Sequence, residues 1–189
     1  MYAHLMKKRA FIIHGWEAAP HDHWFPWLAA ELEKCGWEAR TLAMPGSAHP
    51  EMDAWTHAVA EAVGMPDAQT VLIGHSIGAM AIMRYLESLP EGTYVAGAIF
   101  VAGFLENIDA ELASFFRSPL DAERIRRTAG KIIAIASDDD QHTPEGSAEL
   151  IRDQLGAELV VVPGAGHFNA EDGCATLPQA LEAIIGIIP

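Results

Sequence analysis

The sequence predicts an α/β protein with one mainly parallel sheet of about six strands that is covered by helices. Three observations lead to this fold class. Short apolar runs alternate with segments of helical period along the chain, and the apolar runs are hydrophobic on both faces, as in strands buried between helices. The third is size, since 189 residues of which 50% are hydrophobic can bury one substantial core. A single domain over residues 1–189 is therefore expected.

Six short runs rich in branched residues are the predicted strands. They read AFII (10–13), EARTL (38–42), TVLI (70–73), AGAIFV (96–101), IIAIA (132–136) and LVVV (159–162). Five segments with apolar residues three or four apart are the predicted helices, 24–34, 52–63, 77–89, 145–155 and 176–187. The remaining long segment, 103–130, is expected to hold short helices, which leaves little room for a separate cap domain.

The charge and the cysteines limit the classes of partner and the compartment. Lys and Arg number 12 and Asp and Glu number 26, so the formal net charge is −14. Such an excess of carboxylates repels nucleic acid and anionic membranes. No stretch reaches the roughly 18 apolar residues that a spanning helix needs, and Cys35 and Cys174 lack CxxC spacing. We expect a soluble, cytoplasmic protein with two free thiols; the sequence indicates no protein partner.

The stretch VLIGHSIGAM (71–80) interrupts a hydrophobic run with a serine between two glycines. The apolar residues before the first glycine read as a buried strand, and those after the serine follow helical spacing. A tight strand-to-helix turn needs small residues where a side chain would collide with neighbouring backbone, which accounts for Gly74 and Gly78. Ser76 is then held outward at the apex of the turn, which is the geometry of a nucleophile elbow.

A serine nucleophile needs a base within hydrogen-bond reach and a carboxylate that orients the base. Two polar segments follow late strands, SDDDQHTP (137–144) and GAGHFN (164–169). Because the carboxyl ends of parallel strands share one edge of a sheet, these segments are expected to converge with Ser76. The order along the chain, serine then acid then histidine, is the order of α/β hydrolases. His167 is the predicted base, and one of three neighbouring aspartates is the predicted acid.

Acyl transfer also needs N–H donors that face the oxyanion of the tetrahedral intermediate. Ile77 offers its backbone N–H at the start of a predicted helix. The loop after the first strand begins HGW (14–16), and a glycine there lets the backbone approach closely. The backbone N–H of Trp16 is the predicted second donor, and His14 is expected to brace this loop.

Five segments of the chain resemble one known family. They are FIIHGW, WLAAELEKCGWEARTLAMPG, GHSIGAMAIMRYLE, IASDDDQHTP and GAGHF, and the family is the small serine hydrolases related to retinoblastoma-binding protein 9. The resemblance covers nearly the whole chain. It implies a three-layer α/β/α sandwich, a minimal α/β-hydrolase fold without a large cap. It also implies a Ser-Asp-His triad, with Ser76 and His167, and esterase-like activity on small acyl substrates.

The family pattern also bears on the choice of acid. Its acid is the second of two aspartates and stands four positions before a proline, which matches Asp140 and Pro144. The proline that directly follows the family's acid is replaced here by Gln141. Asp140 is therefore the predicted acid, Asp139 is the alternative, and Asp138 is the least favoured of the three.

Other conspicuous side chains are assigned to packing, to loops or to the pocket. His75 lies inside the elbow, and its side chain is expected to point away from the apex and to pack. The HDHW run (21–24) is expected to be a solvated loop that opens a helix rather than a metal site, since no third ligand stands at useful spacing. The aromatic residues expected to form an apolar wall of the pocket are Trp16, Phe104, Phe115, Phe116 and Phe168.

The predicted function is that of a serine hydrolase that cleaves small ester, thioester or activated amide substrates through an acyl-enzyme on Ser76. His167 acts as base, Asp140 orients it, and the amides of Trp16 and Ile77 hold the oxyanion. This chemistry requires no metal and no organic cofactor. Two alternatives share the fold: an acyltransferase that uses the same triad, and a non-catalytic protein-interaction module.

Overall fold

The computed structural model describes residues 7–189, in which strands and helices alternate along the chain. The strands are β1 (Arg9–Ile13), β2 (Glu38–Leu42), β3 (Thr70–His75), β4 (Gly97–Val101), β5 (Lys131–Ser137) and β6 (Glu158–Val162). The α-helices are α1 (Phe25–Lys34), α2 (Met52–Val63), α3 (Ile77–Ser88), α4 (Ala122–Thr128), α5 (Ser147–Leu155) and α6 (Pro178–Ile187), and a 3-10 helix spans Ala110–Phe116. None of the helices in residues 7–189 is long and apolar enough to cross a membrane.

The strands form one parallel sheet in the order β2-β1-β3-β4-β5-β6. The central strands β3 and β4 are buried at every position, whereas β6 at the edge has no fully buried residue. The direction of winding reverses between β1 and β3. In open parallel sheets such a reversal leaves a crevice at the carboxyl ends of the two strands, which is where ligands bind.

Successive side chains of the strands enter two separate hydrophobic clusters. Leu72 and Phe100 belong to the cluster that includes residues of α2, α3, α4 and α5. Val71 and Ile99 belong to the cluster on the other face, with residues of α1 and α6. This alternation, with a period of two, follows from the pleat of a strand. The result is the predicted three-layer α/β/α sandwich.

The boundaries agree with the sequence predictions to within two residues, and one of the differences affects the elbow. The third strand was expected to end at residue 73, but it continues through Gly74 and His75, which pair with Phe100 and Val101 of β4. These two residues remain in the strand because the ladder to β4 satisfies their backbone. The change of direction therefore falls on Ser76 alone, between the last residue of β3 and the first of α3.

Residues 103–130 hold only short helices, as predicted, and within residues 7–189 no large cap covers the sheet. This segment is tied to α3 by Arg84, whose side chain is 4% exposed. Its guanidinium donates to the carbonyl oxygens of Phe115 (2.6 Å) and Ser118 (2.5 Å) and pairs with Glu87 (2.7 Å). The buried charge is thereby neutralised and fully hydrogen-bonded, as burial of a charge requires.

Candidate active site

Ser76 forms the turn between β3 and α3 with φ 54° and ψ −127°. This conformation is rare for a residue with a side chain and costs on the order of 1–3 kcal/mol. The backbone N–H of Ser76 donates to the carbonyl oxygen of Val101 (2.9 Å), which ties the turn to β4. Within residues 7–189, the non-glycine residues with positive φ are Glu17, His23, Ser76, Ala102 and Phe168. All of them lie in segments that follow the carboxyl ends of strands, so the strain is concentrated at one edge of the sheet.

The two glycines of the elbow are required by the approach of neighbouring backbone. A Cβ atom at Gly74 would lie 2.6 Å from the backbone of Ala79. A Cβ atom at Gly78 would lie 2.5 Å from the carbonyl oxygen of His14. Real Cβ atoms do not approach other heavy atoms so closely, and backbone cannot move aside as a flexible side chain can. The reason given from the sequence for both glycines is confirmed.

Asp140 is the aspartate that contacts the ring of His167. Its two carboxylate oxygens lie 2.9 Å and 3.1 Å from Nδ1 of His167. The carboxylate also accepts from the N–H of His142 (2.8 Å) and the hydroxyl of Thr143 (2.9 Å). Burial raises the pKa of Asp140, but the hydrogen bond and charge of His167, together with these donors, outweigh burial and lower it. The ionised carboxylate favours the His167 tautomer that carries its proton on Nδ1.

The two preceding aspartates hold the backbone of the loop that carries His167 and do not contact its ring. Asp138 accepts from the N–H of Gly164 and Asp139 from the N–H of Gly166, both at 2.8 Å. The hydroxyl of Ser137 accepts from the N–H between those two glycines (2.9 Å). The three neighbouring aspartates therefore have two kinds of partner. Asp138 and Asp139 bind backbone N–H groups of the loop, and Asp140 binds the imidazole of His167.

A further carboxylate, Asp172, fixes the same loop and was missed by the sequence analysis. Its Oδ2 accepts from the backbone N–H of His167 (2.7 Å). Gly166, whose φ is 54°, adopts the left-handed conformation that favours glycine, and a Cβ atom there would crowd the Asp172 carboxylate. No regular spacing marks Asp172, because it lies in an irregular segment between β6 and α6.

The loop after β1 is braced by His14, as expected. The ring accepts from the N–H of Met44 at Nε2 (3.1 Å), which places its proton on Nδ1, and Nδ1–H donates to the carbonyl oxygen of Gly15 (2.8 Å). Burial lowers the pKa of His14, so the ring stays neutral in this role. A Cβ atom on Gly15 would lie 3.0 Å from Cβ of Ser76, which shows how closely the loop approaches the elbow.

One cavity of about 460 Å³ is lined by both Ser76 and His167. Ser76 is half-buried and opens onto this space. Trp16 lines the same cavity, and within residues 7–189 the backbone N–H groups of Trp16 and Ile77 have no hydrogen-bond acceptor. The Ser76 hydroxyl and Nε2 of His167 are not hydrogen-bonded to each other. Such contacts often tighten only when substrate is bound.

The predicted aromatic wall of the pocket is wrong except for Trp16. Three of its members are buried in the core with exposed fractions of 0–1%: Phe104, Phe115 and Phe168. Phe116 stacks on one of these rings and lies outside the cavity. Ile108 and Leu112 supply the apolar surface instead. Hydrophobicity alone cannot distinguish a phenylalanine in the core from one in a pocket, since both are removed from water.

The HDHW run packs against the loop that carries His167, which corrects the expectation of a solvated loop. Trp24 is fully buried, and its Nε1–H donates to the carbonyl oxygen of Phe168 (3.1 Å). Nδ1 of His23 accepts from the N–H of Ala170 (3.0 Å). The run does precede α1, as predicted, and its first residue His21 is exposed. The partners lie about 145 residues further along the chain, so no local pattern could have indicated them.

His75 packs against the rings of Trp24 and Phe25, as predicted, and it also lines the cavity and makes a specific contact. His75 is only 3% exposed, and its Nε2–H donates to the carbonyl oxygen of His167 (2.7 Å). Nδ1 of the same ring has no hydrogen-bond partner in the described structure. Burial, followed by the charge of His167, lowers the pKa of His75 to about 3, so the ring remains neutral at ordinary pH.

A six-stranded parallel sheet with a strained serine turn after β3 defines the α/β-hydrolase fold. A family model described as serine hydrolase matches residues 10–185. The chain therefore belongs to the serine hydrolase family.

Individual relatives agree with this assignment. YdeN of Bacillus subtilis (strain 168) is 34% identical over 181 residues, which are 95% of each chain. Its crystal structure superposes with a TM-score of 0.92 over 96% of this chain and 98% of that one. Serine hydrolase RBBP9 of Rattus norvegicus is 28% identical over 82% of each chain. Est1E of Butyrivibrio proteoclasticus shares the fold, with a TM-score of 0.71 and 14% identity over 96% of this chain and 87% of that one.

Proposed function

We propose that this serine hydrolase is an esterase-like enzyme that cleaves small ester, thioester or activated amide substrates through an acyl-enzyme on Ser76. The observation that carries the proposal is the Asp140–His167 pair, 2.9 Å apart, beside the cavity onto which Ser76 opens. An imidazole held by a carboxylate beside an elbow hydroxyl that opens onto a cavity is the arrangement that activates a serine. The family membership of the chain supports the same chemistry.

The proposed reaction has two stages. As Oγ of Ser76 attacks the carbonyl carbon, Nε2 of His167 takes the hydroxyl proton. The imidazolium then gives that proton to the leaving group as its bond to the acyl carbon breaks, which leaves the acyl-enzyme. Water attacks the acyl carbon while His167 takes a proton from it, and the proton returns to Oγ when the acid product leaves. Asp140 holds the required tautomer and stabilises the imidazolium throughout.

Two backbone N–H groups are the proposed donors to the oxyanion. Ile77 supplies one from the first position of α3, where helix N–H groups have no partner within the helix. Trp16 supplies the other from the loop that His14 braces. The loss of one such donor typically lowers turnover about 10²- to 10³-fold. The neutral ring of His14 is therefore expected to contribute to activity by holding the backbone N–H of Trp16 in position.

The cavity favours small and uncharged or cationic acyl substrates. Its volume of about 460 Å³ suits a small molecule, and Trp16, Ile108 and Leu112 provide apolar contact. Its lining includes the carboxylates of Glu17, Asp22 and Glu171. Among the described residues, neither Lys nor Arg lines the cavity. Their negative field opposes the approach of anionic substrates.

A cytoplasmic location belongs to the same proposal. It is supported by the two cysteines, Cys35 and Cys174, which remain unpaired in the structure. Thiols that stay reduced are typical of proteins in reducing compartments.

A fluorophosphonate probe tests the proposal directly. Folded wild-type protein is expected to be labelled, Ser76→Ala to lose labelling, and Ser88→Ala to keep it, because Ser88 lies at the far end of α3. A series of p-nitrophenyl esters, from acetate to longer chains, then measures turnover and the acyl length that the cavity accepts. Folded wild-type protein that resists the probe, or Ser76→Ala that is labelled equally, would overturn the nucleophile assignment. Product analysis with competing alcohols and amines distinguishes hydrolysis from acyl transfer.

A further inference from the structure

Three side chains outside the proposed mechanism hold the loop that carries His167. We call His23, Trp24 and His75 the loop clamp. His75 donates to the carbonyl oxygen of His167 (2.7 Å) and Trp24 to that of Phe168 (3.1 Å), while His23 accepts from an N–H two residues further on. The loop leaves the edge strand β6, so the sheet itself does not fix the direction in which it runs.

Within the loop clamp, His75 is the member bonded to the backbone of His167. It also lies against the imidazole, with ring centroids 5.0 Å apart and the planes inclined at 50°. His75 is followed directly by Ser76 in the chain. The side chain of His75 thus links the end of β3, next to Ser76, to the backbone of His167, which lies 92 positions further along the chain.

The chemistry of the His75 ring indicates more than space filling. Its Nε2–H has an acceptor, but Nδ1 is buried without a hydrogen-bond partner among residues 7–189. A buried polar atom without a partner is unfavourable, and an apolar aromatic ring would fill the same space without one. What the imidazole provides, and a benzene ring cannot, is one N–H directed at the backbone of His167. Because burial keeps the ring neutral, with a pKa of about 3, the unpartnered nitrogen does not become a charged donor at working pH.

We propose that His75 is a positioning residue that holds the backbone and imidazole of His167 so that Nδ1 meets Asp140 and Nε2 faces the cavity. Its effect on turnover rests on the proposed function, whereas its effect on the Asp140–His167 contact does not. Trp24 and His23 support the same loop from the segment directly before α1. Misplacement of a catalytic group by about 1 Å can lower a rate about 10²-fold, so a buried contact of this kind can affect turnover strongly.

The test compares two replacements of His75 with one control in the same strand. His75→Phe keeps an aromatic ring and removes the N–H, and His75→Gln keeps an N–H donor. Thr70→Val is the control, because Thr70 is fully buried at the opposite end of β3 and makes hydrogen bonds of its own to Asp67 (2.9 Å) and Arg9 (2.7 Å). For each protein, the free energy of unfolding, kcat, KM and the NMR resonance of the His167 Nδ1–H proton are measured.

The expected result separates position from stability. His75→Phe should lower kcat about ten- to hundredfold with KM changed by less than about twofold, and should weaken or remove the Nδ1–H resonance. His75→Gln should retain most of the wild-type kcat and most of the Nδ1–H resonance. Thr70→Val should leave kcat and the resonance unchanged even where it lowers stability as much. If His75→Phe does not fold, His75→Asn, which is too short to reach the carbonyl, takes its place beside His75→Gln.

Three outcomes would overturn the inference. They are wild-type kcat and an unchanged resonance in His75→Phe, equal losses in the Gln and Phe variants, and an equal loss of kcat in Thr70→Val at matched stability. A wild-type protein that hydrolyses no ester, but whose Nδ1–H resonance disappears in His75→Phe, would refute the proposed function and support the positioning role. The two proposals can therefore fail separately.

Discussion

The two sides of the candidate active site are held in place by different physical means. The elbow follows the buried central strand β3, and backbone packing around Gly74 and Gly78 fixes its shape. The loop that carries His167 follows the edge strand β6, in which Val161 is 51% exposed. Side-chain hydrogen bonds fix that loop, from Asp138, Asp139, Asp140, Asp172 and the loop clamp.

This difference predicts how each side responds to mutation. Close packing inside a sheet cannot be removed in parts, so a change at the elbow should lower the stability of the fold. Hydrogen bonds from side chains can be removed one at a time, and those at a solvent-exposed edge contribute modestly to folding. A change in the loop of His167 should therefore lower activity more than stability.

The largest expected effect is on the loop side. Asp140→Asn should lower kcat about 10³- to 10⁴-fold, because a neutral amide no longer stabilises the imidazolium or selects its tautomer. The free energy of unfolding should change by only about 1 kcal/mol, since an amide oxygen at the Oδ1 position can still accept from the backbone N–H groups of His142 and Thr143. Steady-state kinetics and urea denaturation of the same preparations measure both quantities.

Asp139→Asn is the matched control for this variant. Asp139 contacts the backbone N–H of Gly166 and not the imidazole, so kcat should stay within about tenfold of wild type. A larger loss of kcat in Asp139→Asn than in Asp140→Asn would reverse the assignment of the acid.

The elbow side should show the opposite balance. Gly74→Ala places a Cβ atom 2.6 Å from the backbone of Ala79, and we expect a loss of about 2–4 kcal/mol in the free energy of unfolding. Gly186→Ala is the control, because a Cβ atom at this exposed position of α6 meets nothing within 4 Å. This control should be neutral or stabilising by up to about 1 kcal/mol. Equal stability of the two variants in urea denaturation would contradict steric control of the elbow.

The smallest expected effect concerns His75, which links the two sides. Its pKa is about 3 in the folded protein and 6.5 in its ordinary state, so between these values the unfolded chain binds a proton that the folded chain does not. The contribution of the neutral His75 ring to the free energy of unfolding is therefore fully present above pH 6.5. It falls by up to about 1.4 kcal/mol per pH unit as the pH decreases towards 3. Between pH 7.5 and pH 5.0, wild type should lose up to about 2 kcal/mol more than His75→Gln. Denaturant unfolding at the two pH values measures both proteins. An equal loss of stability in wild type and in His75→Gln would refute this expectation.

Much of the fold was predictable because its signals are local. Alternation of strand and helix, apolar strands and glycines in the elbow are all visible within short windows, and the strands begin and end within two residues of the predicted positions. The acid was less certain, because Asp139 and Asp140 are adjacent and chemically identical. Only the path of the loop decides which carboxylate meets the imidazole and which meets an amide.

The loop clamp and Asp172 illustrate what sequence could not indicate. Trp24 and Phe168 are separated by 144 positions, and His75 and His167 by 92. Each of these side chains has an ordinary explanation in its own segment, as a core indole, a packed imidazole or a solvated carboxylate. Their role depends on a neighbour supplied by another part of the chain.

The sequence by itself determined the layered architecture, the sharp turn at Ser76 and the set of residue types at the carboxyl edge, because backbone sterics and hydrophobic periodicity act over a few residues. The tertiary structure decided between Asp140, the predicted acid, and its alternative Asp139 as the partner of His167. It alone placed Ile108 and Leu112 rather than the buried phenylalanines at the cavity, and the N–H of His75 against the backbone of His167. Hydrogen bonds and pocket walls between distant segments depend on distances of a few tenths of an ångström, and only the packed chain fixes these.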